Sequence, residues 1–209
     1  MNAAICAYGA GNVRSVEVAL RRLGVEAELA EDPAAVLEAD LTVLPGVGAA
    51  GSAMHGLRAR GLDDALRRRA AMDKPILGIC LGLQLALDES EEDGGVAGLG
   101  LVPGRAVRLQ PGWRRHATPR GDATPGGDNV ATPRHLDGRV PRIGWAPVEP
   151  WGETYWFAHS YAAESEAAVA TSEGIVAAVR CGSFIGVQFH PEKSGAAGAR
   201  FLESCLCRA

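Results

Sequence analysis

A repeat of strand and helix over the first 88 residues constrains the fold of this chain most. Residues 3–8 are apolar and bounded by Gly9 and Gly11, the pattern of a buried strand. Residues 13–23 follow with Val16, Ala19, Leu20 and Leu23 on one helical face, and Gly24 supplies the stop. The spacing then predicts a strand at 26–30, a short helix at 34–39 after Pro33, and a third strand at 41–44 ending in Pro45-Gly46-Val47-Gly48. Two helices are expected near 52–60 and 62–71, a fourth strand at 76–79, and a helix from Leu81 to about Asp88. Alternation of this kind implies an α/β fold built on a largely parallel sheet flanked by helices.

The second half reads differently. Strand-like runs at 107–109, 155–158, 175–179 and 184–189 have short connections and predict antiparallel additions to the sheet, closed by a helix over 198–207. Between them, 110–139 repeats Ala-Thr-Pro three times amid Gly and Arg, with almost nothing to bury. The expectation is one domain spanning 1–209 that carries a disordered surface insertion, with a partner-binding arm as the alternative. His116 and His135 fall there and receive no catalytic role.

Composition narrows the function classes. A formal net charge of −4 leaves no basic footprint for nucleic acid. No apolar run approaches ~18 residues, so no membrane span is expected, and no basic stretch precedes the first apolar run as in a secretory signal. The five cysteines, Cys6, Cys80, Cys181, Cys205 and Cys207, are odd in number and lack zinc spacing. A reducing, cytoplasmic setting fits them, with neither metal nor cofactor expected.

One cysteine stands apart. In Lys74-Pro75-Ile76-Leu77-Gly78-Ile79-Cys80-Leu81-Gly82-Leu83-Gln84 a buried strand runs through Gly-x-Cys-x-Gly into a helix. This is the thiol counterpart of a nucleophile elbow. A tight strand-to-helix turn presents the sulfur at the carboxyl end of the sheet, where open α/β folds bind ligands. The helix N-terminus favours a thiolate, and the Leu81 N–H is placed to donate to an oxyanion. A free thiol has a pKa near ~8.5 and needs a base. Val187-Gln188-Phe189-His190-Pro191-Glu192 supplies one: His190 at a strand end, with Glu192 turning back to the second imidazole nitrogen. The loop Gly46-Val47-Gly48 closes a third strand, and glycines on both sides of Val47 would let a peptide plane turn toward the substrate. The other four cysteines are read as small core residues. His159 is read as structural, because His190 already has an orienting carboxylate.

These residues resemble the class I, triad-type glutamine amidotransferases. Gly78-Ile79-Cys80-Leu81-Gly82-Leu83-Gln84 and Gln188-Phe189-His190-Pro191-Glu192 look like the two signature motifs of that family. The resemblance covers nearly the whole chain outside the insertion and implies a flavodoxin-like fold. It implies hydrolysis of the glutamine side-chain amide through a cysteine thioester, with Gln84 contacting the substrate and no cofactor. Within the family, Tyr8-Gly9-Ala10-Gly11-Asn12-Val13-Arg14-Ser15, Pro45-Gly46-Val47-Gly48, Pro141-Arg142-Ile143-Gly144-Trp145, His159-Ser160-Tyr161 and Lys193-Ser194 are similar to the glutaminase subunits of imidazole glycerol phosphate synthase. That likeness implies that Ser160 and Tyr161 hold the amino-acid end of the substrate. It also implies that Asn12, Trp145 and Trp156 lie toward a (β/α)8-barrel cyclase subunit in a heterodimer. The ammonia would feed synthesis of imidazole glycerol phosphate and an aminoimidazole carboxamide ribonucleotide. The chain departs from the pattern at Ala7, Ala50 and Ala146 and in the length of the insertion. Three alternatives stay open: the glutaminase of another amidotransferase pathway, a non-catalytic regulatory subunit on the same fold, and a γ-glutamyl peptidase.

Overall fold

The computed structural model describes residues 1–9, 13–113 and 139–207. Asn12 and most of the Ala-Thr-Pro segment lie outside them. The first half runs β1 (Asn2–Cys6), α1 (Val13–Arg22), β2 (Glu26–Ala30), α2 (Pro33–Glu38), β3 (Leu41–Leu44), α3 (Ala50–Ala59), α4 (Leu62–Ala71), β4 (Ile76–Ile79) and α5 (Leu81–Ala86). The short strands β5 (Glu89–Ser90) and β6 (Val96–Ala97) follow, then β7 (Arg105–Arg108), β8 (Arg142–Val148), β9 (Glu153–His159) and β10 (Tyr161–Glu164). The chain ends through β11 (Ala168–Ser172), β12 (Ile175–Cys181), β13 (Phe184–Val187) and α6 (Gly195–Leu206).

The main sheet has seven strands in the order β11-β12-β13-β4-β3-β1-β2. Strands β2, β1, β3, β4 and β13 are mutually parallel, which is the flavodoxin-like order with β13 as its fifth strand. Strand β12 adds antiparallel to β13, and β11 pairs antiparallel with β12 at the edge.

This corrects the sequence reading of the second half in two places. The run beginning at Phe184 is not an antiparallel addition to β4; it lies parallel to it, Phe184 opposite Ile76 through Val187 opposite Ile79. The runs at 107–109 and 155–158 leave the main sheet altogether. Strand β7 joins a four-stranded sheet with β10, β5 and β6, and β9 pairs with β8 as a separate two-stranded ribbon. Strand pairing over this sequence distance is decided by packing, which a local apolar pattern does not record.

Side chains alternate between two cores, as the strand period requires. Ala4 and Cys6 of β1 join Leu44, Met54, Leu57, Leu66 and Leu83 on the face covered by α2–α5. Ala3 and Ile5 of the same strand join Val16, Leu20, Phe157, Phe201 and Leu202 under α1, α6 and the β8–β9 ribbon. Ala146, one of the departures, is fully buried in this second core, where a small apolar side chain suits the packing. Arg69 is also fully buried, and its guanidinium donates to the carbonyls of Val36, Ala39, Asp40 and Pro75. It ties α4 to the end of α2, away from the motifs. Among the described residues, no helix is long and apolar enough to cross a membrane.

Candidate active site

Three parallel strands deliver their motifs to the same edge: Pro45 and Gly46 follow β3, Cys80 follows β4, and His190 comes three residues after β13. Cys80 sits at φ 54 and ψ −104, outside the regions open to an ordinary L-residue. Such backbone costs about 1–3 kcal/mol and persists only where its surroundings enforce it. Here the Cys80 N–H donates to Val187 O at 2.7 Å, anchoring the bend to β13. Behind the bend α5 packs so closely on β3 that a Cβ at Gly82 would overlap the Leu44 carbonyl oxygen. Glycine at 82 is therefore what lets the turn close.

His190 is buried at 2% exposure, and its Nδ1 lies 2.9 Å from Glu192 Oε1. The ring is aimed by its backbone. The His190 N–H donates to Trp156 O, and the His190 carbonyl accepts from Ser194 Oγ at 2.6 Å. Ser194 Oγ in turn accepts from the Trp156 N–H at 3.0 Å, locking β9 to the base. Burial alone would depress the imidazole, but hydrogen bonding to Cys80 and Glu192, reinforced by their charges, raises its pKa to about 9. The ring thus lies between a sulfur and a carboxylate, both of which favour its protonated form.

A cavity of about 310 Å³ opens at this edge, lined by Val47, Gly48, Cys80, Leu81, Gln84, Glu92, Ile143, Ser160 and Tyr161 among others. All but one of the residues assigned from sequence to oxyanion or substrate binding line it, and the exception, Gly46, is the neighbour of Val47. A larger hollow of about 400 Å³ lies at the opposite, amino-terminal ends of the strands and is lined by none of the residues assigned to catalysis or substrate binding. Tyr8 donates its hydroxyl to Pro45 O, tying β1 to the glycine loop. Burial, then the neighbouring Cys6 and Cys80, push that phenol far above its ordinary range, so it stays a donor. Gly48 adopts φ +106, a conformation that β-carbon-bearing residues rarely enter.

Trp145 and Trp156 face each other across the β8–β9 ribbon in an edge-on contact with centroids 5.8 Å apart. Trp145, Ile143 and Val47 are exposed at this end. Asn12 lies outside the described residues.

Two residues at the site were not found from sequence. Glu92 lines the cavity, and its Oε2 accepts from the Ala50 N–H at 2.7 Å, fixing the start of α3 just beyond the glycine loop. In the sequence it sits in an acidic run, Glu89 to Asp93, that looks like a solvated face. Gln188 is fully buried beside Cys80. Its signal was a lone carboxamide within an apolar run, which must find partners inside the protein. Among the described residues no group of three or more His, Cys, Asp or Glu could hold a metal ion.

The family model described as "Glutamine amidotransferase class-I" matches residues 5–209, and the chain belongs to that family. Its fold agrees. A crystal structure titled as a glutamine amidotransferase superimposes with a TM-score of 0.73 at 18% identity, covering 98% of both chains. Within the class the chain falls among the HisH sequences. It is 43% identical over 212 residues to imidazole glycerol phosphate synthase subunit HisH of Symbiobacterium thermophilum, covering 93% of this chain and 88% of the relative. It is also 37% identical over 217 residues to the chloroplastic imidazole glycerol phosphate synthase hisHF of Arabidopsis thaliana, covering 95% of this chain and 33% of that longer protein.

Proposed function

We propose that this chain hydrolyses the side-chain amide of glutamine and passes the ammonia to a cyclase subunit that makes imidazole glycerol phosphate in histidine biosynthesis. One observation carries the chemistry: a sulfur on a strained bend, beside an imidazole that a buried carboxylate steadies, in the wall of a cavity sized for one small amino acid. The reaction starts from a Cys80 thiolate beside a His190 imidazolium. The sulfur attacks the amide carbon, and the electron pair moves to the carbonyl oxygen. That oxyanion is held by the Leu81 N–H at the start of α5 and by a peptide of the loop Gly46-Val47-Gly48. His190 then protonates the leaving nitrogen, and ammonia departs. In the second half His190 takes a proton from water as the water oxygen attacks the thioester, releasing glutamate and restoring the thiolate. Glu192 keeps the His190 Nδ1 hydrogen in place, so that Nε2 faces the sulfur throughout. Gln84 contacts the substrate, and Ser160 and Tyr161 hold its amino-acid end.

The partner in this reading is a (β/α)8-barrel cyclase in a heterodimer. The apolar rim of Val47, Ile143 and Trp145, backed by Trp156, supports docking on this edge. The fused naming of the Arabidopsis relative supports a physical link between two such activities. The free thiols suit a reducing cytoplasm, and the domain spans 1–209 with its Ala-Thr-Pro insertion. The test is an ammonia-release assay with and without the cyclase and its ribonucleotide ligand. Glutamine turnover should rise when both are present. Cys80→Ala should abolish it while the complex still makes product from ammonium salts. Normal glutamine turnover by Cys80→Ala would refute the reading.

A further inference from the structure

We infer that Gln188 is a further catalytic residue: its carboxamide N–H holds the Cys80 thiolate, and a chain of hydrogen bonds from the substrate-binding segment fixes its orientation. The inference rests on the glutaminase reading for its chemistry, and on side-chain geometry for everything else.

The chain begins at a group with no choice of role. The Tyr161 carbonyl oxygen can only accept. It takes a bond from His159 Nδ1 at 2.8 Å and another from Gln84 Nε2 at 2.8 Å. That second bond sets the Gln84 amide with its nitrogen inward. The other hydrogen on that nitrogen points to Gln188 Oε1 at 3.1 Å, which must therefore be the oxygen. The remaining end of Gln188 is then its NH2 group, and this lies 3.5 Å from Cys80 Sγ. An amide that could otherwise turn either way is forced to offer a donor to the sulfur.

The two charge states of the sulfur use different partners. A thiol can donate to Ala158 O, 3.8 Å away, whereas a thiolate can only accept. Gln188 and His190 thus flank the thiolate with one neutral and one charged donor. Gln188 is fully buried, so water does not compete for its N–H. When the thioester C–S bond breaks, the electron pair returns to sulfur, and the Gln188 N–H is already in position to receive it. Because both Gln84 hydrogens are occupied inward, its Oε1 is the atom left for a substrate donor, which connects substrate placement to thiolate placement through one side chain.

Gln188→Met keeps the length of the side chain and removes the donor. Gln188→Glu keeps an acceptor for Gln84 and removes the donor as well. The rate of Cys80 alkylation by iodoacetamide, followed by peptide mass across pH, reads the thiolate directly and needs no substrate. His190 with Glu192 behind it, Tyr8, His159, Tyr161 and Glu92 are the titratable groups around the sulfur or its cavity among the described residues, and both variants leave them in place. For Gln188→Met the midpoint of the alkylation profile should rise by about one pH unit, and the rate at pH ~7 should fall about tenfold. The kcat for glutamine should fall by about the same factor, with KM changed less. Gln188→Glu should shift the midpoint further upward, and it decides the matter if Gln188→Met does not fold. A wild-type midpoint in a folded variant overturns the inference while leaving the glutaminase reading intact. A shifted midpoint in a protein that never releases ammonia from glutamine, even with the cyclase bound, supports the role of Gln188 and sinks the glutaminase reading instead.

Discussion

Two buried histidines flank the same cavity edge and have opposite electrostatic fates. His159 closes β9 and His190 follows β13, and both are 5% exposed or less. His159 donates Nδ1–H to a carbonyl, and no partner meets its Nε2 among the described residues. Burial, then the nearby Arg142, press its pKa down to about 3. His190 meets a carboxylate and a sulfur instead, and these outweigh burial and raise it to about 9. Burial alone therefore makes a silent neutral ring. A buried imidazole becomes a proton carrier only where anionic partners offset the desolvation cost.

The largest test of that contrast is activity. His190→Asn should lower glutamine turnover by about 10³-fold or more, the scale expected for loss of a general acid–base. His159→Phe should stay within about tenfold of wild type in the same assay. Equal losses in the two variants would break the distinction. Glu192→Gln comes next: an amide in place of the carboxylate can present its N–H to Nδ1 and favour the wrong tautomer, so a fall of about 10²-fold is expected. Its kcat should respond more than its KM.

Smaller effects should appear in stability. His159→Phe removes one of the two donors to Tyr161 O, which keeps its bond from Gln84, so a loss of about 1 kcal/mol by urea denaturation is expected. The pH dependence separates the rings more finely. The folded pKa of His190 lies above its ordinary value of 6.5, so its contribution is fully present below 6.5 and is lost as pH rises through about 9. The folded pKa of His159 lies below 6.5, so its contribution is present above 6.5 and is lost as pH falls toward about 3. Melting temperatures across pH should flatten on the alkaline side in His190→Asn and on the acid side in His159→Phe. Identical profiles in the two variants would remove the electrostatic basis of the comparison.

Local order was written in the sequence wherever one element suffices to specify itself. Strands β2, β3 and β4 and helix α4 fall where period and punctuation put them, because each is a short apolar or amphipathic run with a clear stop. The bend at Cys80 was legible for the same reason: glycines at 78 and 82 around a cysteine, between strand and helix, have few other uses. Tertiary structure decided what depends on distant partners. It inserted β13 beside β4, moved β7 and β9 into separate sheets, and so brought His190 to Cys80. It also gave roles to Gln188 and Glu92, whose meaning lies in bonds to Cys80, Gln84 and Ala50 rather than in their neighbours along the chain. The physical reason is that a propensity belongs to a segment, whereas a hydrogen bond or a pKa belongs to the groups that packing brings together.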